Sequence, residues 1–212
     1  RLATATSDEN GDVQFEDKWP AGTYYLRETT APVGYTAAEL TWTVKIAAGK
    51  ATISTPGGTT VTEVKNTSRL RLKLKVLGPL GEELPGAVLR VTRDNGSPML
   101  YKTNEAGAAL LEQMPAGDYI IQLAGTPTGY VPEDSAPNLK AEYGTLTYLD
   151  TANTAWQLEQ CEGEEYTYLL TLKLKELHVL PSTGGTGTVP FTLAGAALMA
   201  VAVLLLGRKK VK

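Results

Sequence analysis

Pro20-Ala21-Gly22-Thr23-Tyr24-Tyr25-Leu26-Arg27-Glu28-Thr29-Thr30-Ala31-Pro32-Val33-Gly34-Tyr35 returns in outline between Pro115 and Tyr130. Pro20-Ala21-Gly22-Thr23-Tyr24 recurs as Pro115-Ala116-Gly117-Asp118-Tyr119, and Pro32-Val33-Gly34-Tyr35 as Pro127-Thr128-Gly129-Tyr130. Further upstream, Asp8-Glu9-Asn10-Gly11 matches Asn104-Glu105-Ala106-Gly107. The three spacings agree to within one residue, so the chain holds two copies of one structural unit. Between these landmarks lie short alternating runs of Thr, Val, Tyr and Leu, bounded by Gly, Pro, Asn and Asp turns. That pattern predicts an all-β fold of tandem sandwiches rather than helices.

The alignment predicts a first copy over residues 1–67 and a second over 68–178. The opening strand of the second copy, Leu70 to Val76, starts well before Gly107, whereas few residues precede Gly11. Roughly twenty-five to thirty residues of the first copy are therefore expected ahead of Arg1. The chain is read as the C-terminal piece of a longer exported polypeptide. No Gly- or Ser-rich linker separates the copies, so a short, stiff joint is expected. Pro56-Gly57-Gly58 marks a hairpin turn inside the first copy.

The formal net charge is −3 over 212 residues. Four of the twenty Lys and Arg lie after Gly184, where there is no acid. Residues 1–183 thus hold sixteen cations against twenty-three Asp and Glu, a net of −7. An acidic body of this kind argues against nucleic acid as a partner. A lone cysteine, Cys161, leaves no internal disulfide; it is read as a loop residue, with a reactive thiol as the alternative. The one histidine, His178, sits in the spacer just before Leu180, which leaves neither a His-based triad nor a multi-His metal site. The acidic run Glu159, Glu162, Glu164, Glu165 lacks calcium-loop spacing and reads as a solvated hairpin. No phosphate loop or dinucleotide fingerprint is present, and no cofactor is expected. Trp42 and Trp156 read as core or sheet-face residues, with a sugar-stacking platform as the other reading.

Residues 179–212 have physics of their own. Leu180-Pro181-Ser182-Thr183-Gly184 precedes an uncharged apolar stretch over 189–207, followed by Arg208, Lys209, Lys210 and Lys212. Eighteen residues of helix from Val189 span ~27 Å, close to the hydrocarbon thickness of a bilayer. Pro190 falls in the first turn, where its missing N–H does no harm. The cations after Gly207 hold that end in the cytoplasm as a stop-transfer tail.

Pentapeptide, span and basic tail in this order resemble the cell-wall sorting signal of Gram-positive surface proteins. The resemblance implies that a sortase recognises Leu180 to Gly184, attacks the Thr183 carbonyl and passes Thr183 to a peptidoglycan or pilin amine. The membrane is then only a transient station on the way to the wall. The repeat itself resembles the B-type domains of collagen adhesins and Gram-positive pilins, which are prealbumin-like (Ig-like) sandwiches. The stretches that carry this likeness are Gly11 to Phe15, Pro20 to Tyr35, Lys75-Val76 and Gly81-Glu82-Glu83-Leu84-Pro85-Gly86-Ala87. The implied protein is a non-enzymatic stalk of a wall-anchored adhesin or pilin-like protein. The alternative is an adhesin module that recognises a host matrix protein or glycan through residues 131–166.

In that family a first-strand lysine and a last-strand asparagine condense into an isopeptide bond, assisted by a buried glutamate. Strand alternation puts Tyr24, Leu26 and Glu28 on one face, matched in the second copy by Tyr119, Ile121 and Leu123. The apolar match turns Glu28 inward, where a carboxylate needs a partner or a proton. The resemblance implies that Glu28 assists the reaction and that Asn66, in phase with Val64 and Thr62 on a last strand, accepts the amine. The matching lysine is expected upstream of Arg1, with Lys45 and Lys50 read as solvated strand lysines. Otherwise Glu28 curls to the rim and Asn66 is a turn residue. In the second copy Leu123 replaces the glutamate and the last strand offers no Asn. Lys75 sits in phase with Arg71 and Lys73, opposite Leu70, Leu72 and Leu74, and reads as a surface residue.

Overall fold

The computed structural model describes residues 2–16, 18–149 and 155–178, and every helix or strand among them is a β-strand. The sorting motif, the expected span at 189–207 and the basic tail lie outside the described residues. The first repeat supplies β1 (Gly22–Arg27), β2 (Tyr35–Thr36), β3 (Thr41–Ala47), β4 (Lys50–Ser54) and β5 (Thr67–Ser68). The second opens with β6 (Arg71–Leu77), β7 (Val88–Arg93), β8 (Met99–Lys102), β9 (Ala108–Leu111) and β10 (Gly117–Gly125). It closes with β11 (Asn138–Glu142), β12 (Thr145–Tyr148), β13 (Trp156–Gln160) and β14 (Thr167–Lys173).

In the second repeat a five-stranded sheet, ordered β12-β11-β10-β7-β8, faces a four-stranded one, β13-β14-β6-β9. All neighbours are antiparallel except β14 and β6, the last and first strands, which run parallel. Alternation decides what is buried. Leu72, Leu74 and Val76 on β6 are at most 1 % exposed, while Arg71, Lys73 and Lys75 alternate with them on the outer face. Leu170 and Leu172 of β14, and Tyr119 and Ile121 of β10, join the same core. Burying each such leucine contributes about 1.5–3 kcal/mol. The outward cations of β6 are matched by acids: Lys73 to Glu164 at 2.6 Å, Lys75 to Glu83 at 2.9 Å and Arg71 to Glu112 at 4.0 Å. Residues 131–166, read from sequence as an excursion, contribute β11, β12 and β13 to the two sheets. Trp42 and Trp156 are core residues, at 3 % and 2 % exposure.

The first repeat is a smaller assembly. Its sheet has three strands, β1-β3-β4, and β2 and β5 pair separately. These correspond to β10, β11 and β12 of the second repeat. Trp42 is its one large apolar side chain in the fully buried class among the described residues. The last strand expected up to Asn66 is not formed. Residues 61–66 belong to no strand, and Val64 is 42 % exposed. Gly11 to Phe15 likewise form no counterpart of β9. Both absences have one reason. In the second repeat β14 and β9 flank β6, and residues 2–21 contain no strand to play that part.

The repeated motifs prove to be repeated hydrogen bonds. Asp8 Oδ1 accepts the Asn10 and Asp12 N–H groups, both at 2.9 Å, and Asn104 Oδ1 accepts those of Ala106 and Ala108 at 3.0 and 3.1 Å. Tyr24 Oη donates to the Pro20 carbonyl at 2.9 Å, and Tyr119 Oη to that of Pro115 at 2.8 Å. The Tyr35 N–H reaches the Pro32 carbonyl as the Tyr130 N–H reaches that of Pro127. The hairpin at Pro56 closes through Gly58 N–H to Thr55 O, as its sequence predicts.

Repeat meets repeat at two turns. Gly34, at φ +81°, lies against the β11–β12 turn, and a Cβ there would stand 2.4 Å from Gly144 Cα and N. The Arg69 N–H donates to the Gly34 carbonyl at 2.8 Å. The Arg69 guanidinium sits 4.5 Å from the centre of the Tyr166 ring, which itself crowds Gly144. These contacts join the two repeats directly.

Gly34→Ala is expected to destabilise the protein well beyond Gly58→Ala. Gly58 shares the positive φ (+83°) but has open space around its Cα, so its substitution carries only the left-handed strain of ~1–2 kcal/mol. Urea midpoints of the two variants decide the point; equal losses would mean that the turns do not interlock. A second expectation concerns acid. The hydrogen bond from Lys73 holds the Glu164 carboxyl below its ordinary value of 4.5, and the Glu82 carboxyl is lowered chiefly by a backbone N–H. A depressed carboxylate stabilises above its ordinary value and loses that contribution as pH falls through the lower folded one. Stability should therefore drop below about pH 4.5, and Glu164→Gln should flatten that drop, as read from denaturant midpoints against pH.

Candidate functional site

Glu28 follows the last residue of β1 by one position and stays in phase with Tyr24 and Leu26, which are half-buried while Tyr25 and Arg27 are exposed. Pairing of Leu26 with Trp42 and of Arg27 with Thr41 fixes the strand up to that point. The chain then turns through Pro32 to Tyr35, and β2 pairs with β5 through Tyr35↔Ser68 and Thr36↔Thr67. Asn66, immediately before β5, is thereby set beside Glu28 across thirty-eight residues of sequence.

The Glu28 carboxyl uses both oxygens. Oε1 accepts Asn66 Nδ2–H at 2.8 Å, and Oε2 accepts the Ala38 N–H at 2.9 Å. Asn66 Oδ1 is buried and has no hydrogen-bond partner among the described residues. An unmet buried acceptor costs about 1–3 kcal/mol, so this arrangement is one a further donor would improve. A cleft of about 300 Å³ opens beside Glu28, between Arg27–Thr29 and Thr36–Glu39. The structure thus brings together Glu28 and Asn66, both of them partly buried. The difference from the sequence reading is that Asn66 reaches this place from an extended segment rather than a strand.

No lysine described in the chain shares the pair. Lys45 alternates with Trp42, Val44 and Ile46 and lies outward, and Lys50 is exposed at the start of β4. Lys75 also points away from its core, towards Glu83. The sorting residues Leu180, Pro181, Ser182, Thr183 and Gly184 lie outside the described residues, as do Arg208, Lys209, Lys210 and Lys212.

The second repeat shows what the same place looks like without polar groups. Leu123 occupies the position of Glu28 and packs against the core. The bridge Tyr130↔Glu176 corresponds to Tyr35↔Ser68, so Leu174, 2 % exposed, occupies the position of Asn66. A polar pair in one repeat is a leucine pair in the other. Sequence reasoning finds Leu123 by alternation but misses Leu174, because that match needs the bridge register. It also misses the Ala38 N–H, since a backbone donor leaves no mark in a sequence.

Family comparison adds two matches. Residues 1–65 and 74–154 match the SpaA prealbumin-like fold domain, and residues 175–212 match the LPXTG cell wall anchor motif. Curated proteins give no match. Among solved structures, a C-terminal fragment of the pilus adhesin SpaC from Lactobacillus rhamnosus GG is similar at 15 % identity and TM-score 0.47, covering 80 % of this chain and 81 % of that one. The pilus adhesin RrgA from Streptococcus pneumoniae is similar at 12 % and 0.40, covering 66 % of this chain and 21 % of that one. The major pilin subunit BcpA of Bacillus cereus is similar at 16 % and 0.37, covering 52 % and 29 %.

The site makes a stability expectation. Glu28→Ala strands the Asn66 amide and the Ala38 N–H and should cost about 1–3 kcal/mol. The double variant Glu28→Leu, Asn66→Leu copies Leu123 and Leu174 and should recover the part of that loss due to the stranded Asn66 amide, leaving the Ala38 N–H unmet. Thermal midpoints of the two variants test this, and a double variant weaker than Glu28→Ala would contradict it.

Proposed function

The chain belongs to the SpaA prealbumin-like fold domain family, and from that premise we infer a wall-proximal stalk whose first repeat is built to be cross-linked. The protein is a cell-wall-anchored surface protein of the Gram-positive type and a sortase substrate. Its body is all-β and prealbumin-like, and its role is structural rather than enzymatic. Within the anchor, sortase would break the Thr183–Gly184 peptide bond and join the Thr183 carbonyl to a peptidoglycan or pilin amine.

The observation that carries the cross-link is the Glu28–Asn66 pair with its unmet Oδ1. A neutral lysine amine entering there would donate to Oδ1 and face the Asn66 carbonyl carbon. Its nitrogen lone pair forms a bond to Cγ, the Cγ–Nδ2 bond breaks, and ammonia leaves with a proton relayed by Glu28. The amine belongs on a strand that would stand in the first repeat where β6 stands in the second. Such a bond limits the unfolded state as a disulfide does and resists unfolding and proteolysis. The second repeat, with Leu123 and Leu174, carries no such chemistry and relies on its core. The rival reading, an adhesin module for a host matrix protein or glycan, has less support, because residues 131–166 contribute β11, β12 and β13 to the two sheets.

Two mass measurements test this reading. Peptides from muramidase-released wall material should end at Thr183 joined to an amine; recovery of the protein solely from membrane, with Lys212 still attached, would refute the anchoring scheme. The protein as the cell makes it should weigh ~17 Da less than its sequence, one ammonia, and Glu28→Ala should restore the full mass. A Glu28→Ala protein still light by one ammonia would remove Glu28 from the reaction.

A further inference from the structure

The two strands at the ends of the second repeat lie side by side. β6 and β14 pair in parallel over seven consecutive positions, Arg71↔Thr167 to Leu77↔Lys173. The ladder continues at both ends, through Arg71 N–H to Tyr166 O and Leu174 N–H to Leu77 O, each at 2.8 Å. The chain enters β6 at Arg71 and leaves β14 at Lys173, which are opposite ends of this ladder. A pull between the two termini therefore runs along both strands in opposite senses. Every interstrand hydrogen bond then lies across the direction of sliding and is loaded at once. In an antiparallel first–last pair the same pull would open the bonds one after another. The rest of the repeat is strung between the two strands and meets the line of tension at its two ends, where the Met114 N–H reaches the Leu70 carbonyl and the Val131 N–H the Lys175 carbonyl.

Three further features strengthen the pair. Leu72, Leu74, Val76, Leu170 and Leu172 are at most 1 % exposed, so water has no access to the ladder from the core side. Neither strand is an edge: β13 flanks β14 and β9 flanks β6, with five and four register pairs respectively. On the outer face Lys73 of β6 holds Glu164 of the turn leading into β14.

We propose that the β6–β14 parallel pair is the force-bearing clamp of the second repeat, a non-covalent device in the repeat that lacks the Glu28–Asn66 chemistry. Its biological purpose rests on the stalk reading, because tension reaches it only if Thr183 is fixed to the wall. Its mechanics stand independently of that reading.

Single-molecule stretching of the full chain in detergent, in a Cys161→Ser background, separates the two. Handles at Lys65→Cys and Lys175→Cys load the clamp in shear. Handles at Lys65→Cys and Glu162→Cys pull the neighbouring starts of β6 and β14 apart. All of these positions are exposed except Cys161, which is partly buried, and none belongs to the core, so folding is preserved. The first geometry should need several times the unfolding force of the second, and Lys73→Ala should lower only the first. Equal forces in the two geometries would overturn the clamp. So would release of β6 ahead of the rest of the repeat in the shear geometry, read from the length gained. A high shear force together with failure of Thr183 linkage would leave the clamp standing and refute the anchored stalk instead.

Discussion

The adjacency of β6 and β14 organises the second repeat. Parallel strands require a long crossover, and here the crossover is nearly the whole repeat: five-stranded sheet, core and hairpins are strung between one strand and its neighbour. Once β6 is central, β9 has an edge to join and β14 has a partner. The inward leucines of both strands then meet Tyr119 and Ile121 of the opposite sheet.

Among the described residues the first repeat shows no counterpart of β6, and its sheets differ accordingly. The same motifs make the same local turns: Asp8 does what Asn104 does, and Tyr24 what Tyr119 does. Yet residues 61–66 and 11–15 remain outside any ladder, and the three-stranded sheet buries little beyond Trp42. Glu28 and Asn66 meet even so, because the contact depends on the β2–β5 pairing and not on the missing ladder.

Much of this was legible in the residues. Alternation alone put Glu28 on the half-buried face of Tyr24 and Leu26 and turned Lys75 outward. Each of those needs only the two-residue period of a strand. The unformed strand at Asn66 was not legible, since the Thr62-Val64-Asn66 phase describes what a strand would bury and carries no information on whether a neighbour exists to pair with it. Leu174 escaped for a related reason: it is one leucine among several in its strand, and only the Tyr130↔Glu176 bridge identifies it as the counterpart of Asn66. The interlock of Gly34 with Gly144 joins turns far apart in sequence and leaves no periodic signature at all.

That interlock has a consequence for how such stalks can grow. Gly34 in the first repeat is held by its neighbour, whereas Gly129, its homologue in the second, has nothing within 4 Å among the described residues. The two modules are therefore not interchangeable beads. A duplicated copy inserted between them would need a Gly144-like turn facing one side and a Gly34-like turn facing the other. Lengthening by gene duplication would thus require internal modules that carry both halves of the joint.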